Sequence, residues 1–409
     1  MPVNLKLIQA PVTPPKPPKW WLWLLLLLVV LLTGTAWAIF SNQSKAEINS
    51  EAFWRTALAI PGLFWLISLV LRIAWFKGLL STAKGWNKDR QEIISRETQR
   101  GQRSLQLFGI SLVSALREAS DETGEGQWSA LKGKVQALKT QASWFDDKGF
   151  RHSRLVRVDS EKPEQLLARG LNTLLEELSQ VLASVPEDVP LTLLMESNSS
   201  LPEAQLQAIW LTCWQSSNIR QHVTTLDDSG LAAVDRWLDQ RINDHALLLV
   251  VAIQLAPQQP EGTAEAVVGL LMGNGPSARN IDSLASLHRP EQAHGTGVQD
   301  LHYALKQSLE WGSMQPADVP SGWLIGVDTA WHEAVASGLK ALHSPINIGQ
   351  DLHDLGSSLG YPGPAAPWLA IACAANECRK GKAQLIVSGD DDDAKSPLWF
   401  TLITPHIAS

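Results

Sequence analysis

The sequence predicts an α/β protein in two parts, an N-terminal transmembrane helical hairpin followed by a layered α/β domain. Three observations carry this. Two apolar runs near the N-terminus are long enough to span a bilayer. Beyond residue 102, strand-like runs alternate with amphipathic helices, the pattern of an α/β fold with covered sheets. Residues 246–253 are almost wholly apolar, which marks a strand covered on both faces.

Residues 1–19 carry Pro11, Pro14, Pro15, Pro17 and Pro18 among lysines and read as a disordered, extended tail of polyproline type, a spacer rather than a partner-docking segment. The first apolar run, 20–40, is about 20 residues without a charge, which matches a hydrocarbon core of about 30 Å at 1.5 Å per residue. The second, 53–76, has Arg55 and Arg72 near its ends, where both can snorkel to an interface. Trp20, Trp21, Trp23, Trp37, Trp54, Trp65 and Trp75 crowd the two runs, most of them near the ends that indoles favour. Pro61-Gly62 predicts a kink in the second helix, of the kind membrane helices tolerate. Residues 35–38 faintly resemble a signal-peptidase site. The apolar core is longer than a signal peptide needs, however, and the second run would still hold the chain in the membrane.

Lys6, Lys16 and Lys19 precede the first run, and Lys77, Lys84, Lys88 and Arg90 follow the second, while the connecting loop holds Lys45 against Glu47 and Glu51. The positive-inside rule then puts both ends in the cytoplasm. Residues 77–101 are charged and helical in composition, a juxtamembrane linker that lifts the domain at 102–409 off the bilayer.

Within that domain the first strand is 105–113. Residues 116–185, whose place in the domain the pattern leaves open, include an amphipathic helix at 164–182 with Leu166, Leu167, Leu171, Leu174, Leu175 and Leu178 on one side. A buried strand at 189–195 leads to a helix at 202–215, with Ser199 or Ser200 as its cap. A short strand at 222–226 precedes a helix at 228–239. The apolar strand 246–253 is joined by a Pro/Gly-rich loop to another at 264–272. Residues 273–297 read as a polar loop with a helix-like fragment. Then come a helix at 298–311, a strand at 323–327, a helix at 329–342, a glycine-rich turn at 355–363 and a helix at 365–379. Strands at 385–388 and 398–404 flank an acidic turn at 390–393. The order of elements after about residue 187 is partly repeated after residue 298.

The formal net charge of −7 argues against a nucleic-acid binder. Cys213, Cys373 and Cys378 are too few for a disulfide framework, and with no CxxC pair a zinc site is unsupported. Free thiols suit a reducing compartment. Cys213 reads as a buried thiol within a helix. His332-Glu333 lacks the second histidine of a zincin helix. His343, His353 and Asp354 read as a hydrated loop, and 390–393 as a solvated turn. No Walker loop or dinucleotide fingerprint is present, so no cofactor and no metal is expected.

Several stretches stand in a familiar order. The apolar strand is followed by Gly262-Thr263-Ala264-Glu265-Ala266-Val267-Val268-Gly269-Leu270-Leu271. Pro316-Ala317-Asp318-Val319 precedes the next strand, and Leu355-Gly356-Ser357-Ser358-Leu359-Gly360-Tyr361-Pro362-Gly363 makes the turn. Over about residues 185–405 the chain resembles the condensing-enzyme, or thiolase-like, fold of β-ketoacyl synthases. The turn is similar to their Leu-Gly-His-Thr-Leu-Gly-x-x-Gly, and the helix after it ends in Arg379-Lys380-Gly381, as it often does there.

That resemblance implies a cysteine nucleophile at a helix N-terminus, where the dipole favours thiolate. The matching start here is Asp227-Asp228-Ser229-Gly230, whose aspartates favour a cap and disfavour an anionic nucleophile. One family histidine falls at Ser357, and the other at Ile325, in Ile325-Gly326-Val327-Asp328-Thr329. His294-Gly295-Thr296-Gly297 spells the family's loop motif, but it follows a polar segment and stands too far before the turn, so it reads as a surface loop.

The expectation is therefore a non-enzymatic membrane-anchored adaptor or scaffold with protein partners, among them a second copy of itself, and with the lipid bilayer. The architecture also looks like accessory proteins of bacterial type VI secretion loci, some of which have a thiolase-like region and assist lipase effectors. That likeness implies effector recruitment or loading at the bacterial inner membrane. The alternative is an acyl-transfer enzyme or acyl-carrier binder at the membrane surface, which would depend on Ser229 or His294. A third reading is a membrane subunit whose soluble part only oligomerises.

Overall fold

The computed structural model describes residues 3, 5–41, 51–158, 160–275, 281–295, 297–390 and 396–406. The loop holding Lys45 and Glu47, residues 391–393 of the acidic turn and Thr296 of the histidine-glycine string lie outside the described residues. The chain divides into two compact units, Asn4–Glu97 on one side and Thr98–Ser409 with Met1–Val3 on the other.

The first unit is built on α1 (Trp20–Ser41) and α2 (Ile60–Gly101, of which residues up to Glu97 belong here). Both helices are long and apolar enough to cross a membrane, and only 6% of the most apolar window of each is buried, unlike the core helix of a globular domain. Pro61 has no N–H to offer the Ala57 carbonyl. Just before it the helix takes a π-helical turn, Arg55–Ala59, in which the Ile60 N–H reaches back to the Arg55 carbonyl. The helices meet at small residues: a Cβ on Gly34 would stand 2.5 Å from Pro61 Cγ. The Trp65 indole donates to the Trp23 carbonyl at 2.9 Å. The proline-rich segment has no regular secondary structure. It is tied to α2 by the Asn87 amide, which accepts from the Val12 N–H and donates to the Val12 carbonyl at 2.9 Å each. Arg90 Nε donates to the Gln9 carbonyl at 2.7 Å.

In the second unit, β1 (Ser104–Ser114) precedes α3 (Glu125–Lys132) and the small separate hairpin of β2 (Lys139–Ala142) and β3 (Gly149–His152). Then follow α4 (Pro163–Leu182), β4 (Leu191–Ser199), α5 (Glu203–Ser216), β5 (Val223–Thr225), α6 (Gly230–Gln240), β6 (Leu247–Leu255) and β7 (Ala266–Gly273). The remainder is β8 (Ala285–His288), β9 (Glu291–Gln292), α7 (Val298–Trp311), β10 (Ser321–Ile325), α8 (Thr329–Ala341) and β11 (Leu352–Asp354). Last come the short α9 (Leu355–Leu359), α10 (Ala366–Cys378), β12 (Gln384–Ser388) and β13 (Trp399–Pro405).

Among the described residues these strands form one mixed sheet in the order β11-β10-β12-β13-β8-β1-β7-β6-β4-β5, with β9 on β13. The two halves repeat one another. β4 runs parallel to β5 and β6, β6 antiparallel to β7, and β7 antiparallel to β1. β10, β11, β12, β13 and β8 do the same in turn, and the halves join where β1 meets β8 antiparallel. The repeat therefore starts at β1, earlier than the sequence pattern suggests.

The core is layered accordingly. α4 and α5 share an apolar cluster with one face of the first half, and α7 and α8 with one face of the second. The inner faces of both halves share a third cluster with α6 and α10. α10 is buried almost all round, and its alanines (Ala366, Ala370, Ala372, Ala374, Ala375) let strands of both halves approach it closely. Side chains such as Leu369 and Ile371 each contribute about 1.5–3 kcal/mol by leaving water.

Three expectations are corrected. The polar loop at 273–297 contains β8 and β9, and β8 bridges the two halves. Its alternation is only four residues long, and its register comes from β1 and β13. Neither serine caps α5: Pro202 occupies the N-cap, and Ser199 Oγ accepts from the Leu201 N–H one step earlier. His353 and Asp354 lie on β11, not in a hydrated loop. The His353 ring is mostly buried and stacks on Trp323 at 4.5 Å.

Candidate functional site

The site is built where the central helices α6 and α10 begin. Ser229 occupies the N-cap of α6 with extended backbone, but its side chain makes no capping bond. The aspartates do not cap the helix either: Asp228 accepts from the Ser229 N–H at 2.7 Å and from Arg236 Nε at 2.6 Å. The Gly230 N–H instead donates to Glu196 Oε1, from within β4. The other oxygen of that carboxylate accepts from the indole of Trp368, in the first turn of α10, at 2.9 Å. A helix N-terminus attracts an anion through its unpaired N–H groups and its dipole, and here the chain supplies the anion itself. Glu196→Ala should lower the unfolding free energy by about 1–3 kcal/mol, because it leaves the buried Trp368 indole and the half-buried Gly230 N–H without an acceptor. Urea unfolding of the two proteins measures this, and a change within experimental error would show that the carboxylate does not hold the two helix starts.

A cavity of about 570 Å³ opens over this point. Its wall takes Glu196 and Ser197 from β4, Asp228–Leu231 from the start of α6, Pro367 from α10, and residues 388–390 from the end of β12. Tyr361 closes one side, its hydroxyl donating to Asp390 Oδ1 at 3.2 Å. Gly326, which follows β10 at φ +59°, has no room for a Cβ against the Gly389 carbonyl. The described lining holds neither a cysteine nor a histidine.

Of the two residues an acyl-transfer reading needs, the structure places Ser229 on the cavity wall and His294 elsewhere. His294 lies between β9 and α7, with Nε2 3.8 Å from Glu291 Oε1 and its ring 6.3 Å from that of Tyr303. Ser357 Oγ donates to the Asp354 carbonyl at 3.0 Å, and Ile325 is fully buried at the end of β10. Cys213, Cys373 and Cys378 are buried, and burial raises all three thiols, Cys378 to about 12. His332 Nε2 sits 3.9 Å from Asp354 Oδ2 and 3.1 Å from the Val327 carbonyl. Among the described residues no group of three His, Cys, Asp or Glu side chains is placed to hold a metal ion.

Sequence reasoning missed Glu196. The available signal was a lone carboxylate closing the apolar run of β4, where a solvated strand end is the ordinary reading.

No family profile matches the chain, and no curated protein matches it. Solved structures do. An oxazolomycin ketosynthase domain from Streptomyces albus superposes with a TM-score of 0.52 at 10% identity, over 75% of this chain and 75% of that one. A β-ketoacyl synthase from Burkholderia phymatum gives 0.52 at 10% identity, over 75% and 100%. A type II PKS ketosynthase in complex with its acyl-carrier protein gives 0.50 at 10% identity, over 74% and 99%. The fold is thiolase-like, of the ketosynthase kind, behind an N-terminal pair of long apolar helices.

Proposed function

We propose that this protein is a non-enzymatic adaptor or scaffold, held at a membrane by α1 and α2, whose thiolase-like unit serves as a binding surface. One observation carries the reading: the N–H at the start of α6, where a condensing enzyme would stabilise a thiolate, is occupied by the Glu196 carboxylate. A second anion there would meet the charge of the first within a few ångströms, and the described lining offers no imidazole to take up a proton.

The charge flanks of the two helices favour a two-pass arrangement in a bacterial inner membrane with both ends cytoplasmic. A reporter fused after Ser409 is then active in the cytoplasm, and an active periplasmic reporter overturns the arrangement. The partner we favour is a protein cargo, with an effector of a type VI secretion system as the specific case suggested by the combination of two-helix anchor and thiolase-like unit.

A second reading, acyl transfer or acyl-carrier binding, is favoured by the uncapped Ser229 hydroxyl on the cavity wall. The full chain in lipid nanodiscs, given acyl thioesters and acyl-carrier protein, separates the two. The adaptor reading expects no turnover above background and no covalent acyl adduct by intact-mass measurement. Turnover lost in Ser229→Ala or His294→Ala would replace it with the second reading. Mild-detergent purification from the native cell, with mass spectrometry of what accompanies the protein, then identifies the cargo.

A further inference from the structure

We infer that the anchor carries a cationic collar that selects anionic phospholipid headgroups at the bilayer surface. This rests on the reading of α1 and α2 as membrane-held and goes beyond it in naming the lipid. The overall charge of −7 hides a segregation. Residues 1–97 hold 11 lysines and arginines against 5 acids, whereas residues 98–409 hold 23 against 36. Within the first part, no aspartate or glutamate occurs in residues 1–46 or 52–88. Lys16 and Lys19 lead into α1, and Arg72, Lys77, Lys84 and Lys88 lie along α2. All six are exposed. Among the described residues only Lys88 of the six meets a carboxylate, Glu92 at 3.7 Å, in a solvated pair that barely holds it.

The fold gathers these charges from two separate segments of chain. The Trp23 carbonyl is tied to the Trp65 indole, and the Val12 backbone to the Asn87 amide, each bond 2.9 Å long. Between those ties α2 rises about 33 Å. The chain from Val12 to Trp23 covers the same stretch, so Lys16 and Lys19 stand along the part of α2 that bears Arg72, Lys77 and Lys84. Lys77, Lys84 and Lys88, spaced seven and four apart, share one face of the helix. Trp86 and Ile93 lie on the opposite face, where they line a groove with Leu7 and Ile8 of the N-terminal segment. That segment therefore leaves the lysine face open. Trp20, Trp21 and Trp75 are exposed beside the collar, and indoles settle at headgroup depth. Long cationic side chains there reach phosphate oxygens, and an anionic leaflet supplies the matching charge within a Debye length.

The test reconstitutes the full chain in phosphatidylcholine vesicles that carry a trace of spin-labelled phosphatidylglycerol or spin-labelled phosphatidylcholine. Electron paramagnetic resonance then gives the relative affinity of each lipid for the protein boundary. Phosphatidylglycerol should be preferred by about threefold or more at low salt. Near 0.5 M salt, where the Debye length falls to about 4 Å, that preference should drop by about half or more. Lys16→Gln with Lys19→Gln should lower it, as should Lys77→Gln with Lys84→Gln, and all four together should bring the two lipids close to equality. Lys139→Gln with Lys148→Gln, exposed on the β2–β3 hairpin of the second unit, should leave the preference intact. Equal affinity for the two lipids, a preference indifferent to salt, or one that survives the fourfold variant would each overturn the inference. Release of the protein from the vesicles by alkaline carbonate would overturn the membrane anchor and this inference with it. Retention in the bilayer without lipid preference would overturn this inference alone.

Discussion

Arg289→Met is expected to lower the unfolding free energy of the thiolase-like unit by about 3–5 kcal/mol, the range for removing one partner of a buried ion pair. Arg289 lies in the turn between β8 and β9 with its side chain completely buried. One guanidinium nitrogen pairs with Asp235 of α6. The other donates to Asp239 Oδ1 at 2.7 Å and to the Arg100 carbonyl at 3.2 Å. Methionine replaces the aliphatic stem but stops short of the guanidinium nitrogens, so the loss is mainly one of charge and hydrogen bonds, with a small cavity added to it. Arg100 continues to hold Asp239, through contacts of 2.8 and 2.5 Å, which keeps the penalty from doubling. Asp235 loses its guanidinium, and because burial already raises its carboxyl, Asp235→Asn added to Arg289→Met should recover part of the stability by removing a buried carboxylate. Burial pushes the Asp239 carboxyl up, but hydrogen bonds from Arg100 and Arg289 outweigh it and hold the group at about 2. A depressed carboxyl contributes stability above its unfolded value near 4 and loses it as pH falls toward 2, so the gap between wild type and variant should narrow there. Chemical unfolding of both proteins at pH 7 and pH 3 measures this. A penalty below about 1 kcal/mol would mean that the pair is hydrated and not sealed in the core.

Much of this architecture was legible because it is written in long, uniform patterns. The two apolar helices and the leucine face of α4 follow from composition and period alone. The fully buried β6 announced a sheet covered on both sides, and the core clusters bear that out. What escaped was short or non-local. In β8 only Ala285 and Leu287 alternate inward, too little to outweigh the polar residues around them, and its strand character comes from β1 and β13.

The candidate site was legible only in part, for the same reason. Ser229 at a helix start was visible as a position, and the structure does set it on the cavity wall. The significance of Glu196 depends on Gly230 and Trp368, 34 and 172 residues away in sequence, meeting one carboxylate. No local spacing encodes that encounter. Glu291 escaped too, because a carboxylate in a two-residue strand within a polar stretch reads as solvated, whereas burial against Trp311 makes it a titrating core group.

Glu291 gives the other large effect, with a sign opposite to that of most carboxylates. It is fully buried, its Oε2 accepting from the Trp311 indole at 2.9 Å and its Oε1 without a hydrogen-bond partner. Burial raises its carboxyl to about 7, and the nearby Asp235 adds to the rise. Below pH 4.5 both folded and unfolded chains hold the proton. Between there and 7 only the folded chain does, so this stabilisation is lost as pH rises through 7 and reaches about 3 kcal/mol in all. His288, half-buried by exposure but with its ring turned into the protein, works against it: desolvation lowers its imidazole to about 4, so its contribution is lost as pH falls from 6.5 toward 4. The two slopes largely cancel in the wild type, and a plain stability-against-pH curve would hide both. Glu291→Gln separates them, since glutamine keeps the shape and the indole contact but cannot titrate. Relative to wild type, the variant should gain about 3 kcal/mol between pH 4.5 and pH 7.5, whatever constant offset its amide introduces, because the His288 contribution is common to both proteins. His294 stands 3.8 Å from Oε1, and repeating the comparison in a His294→Ala background should leave the slope in place if burial is its cause. A difference flat with pH would show that Glu291 stays ionised in the fold, and that water reaches the orphaned oxygen.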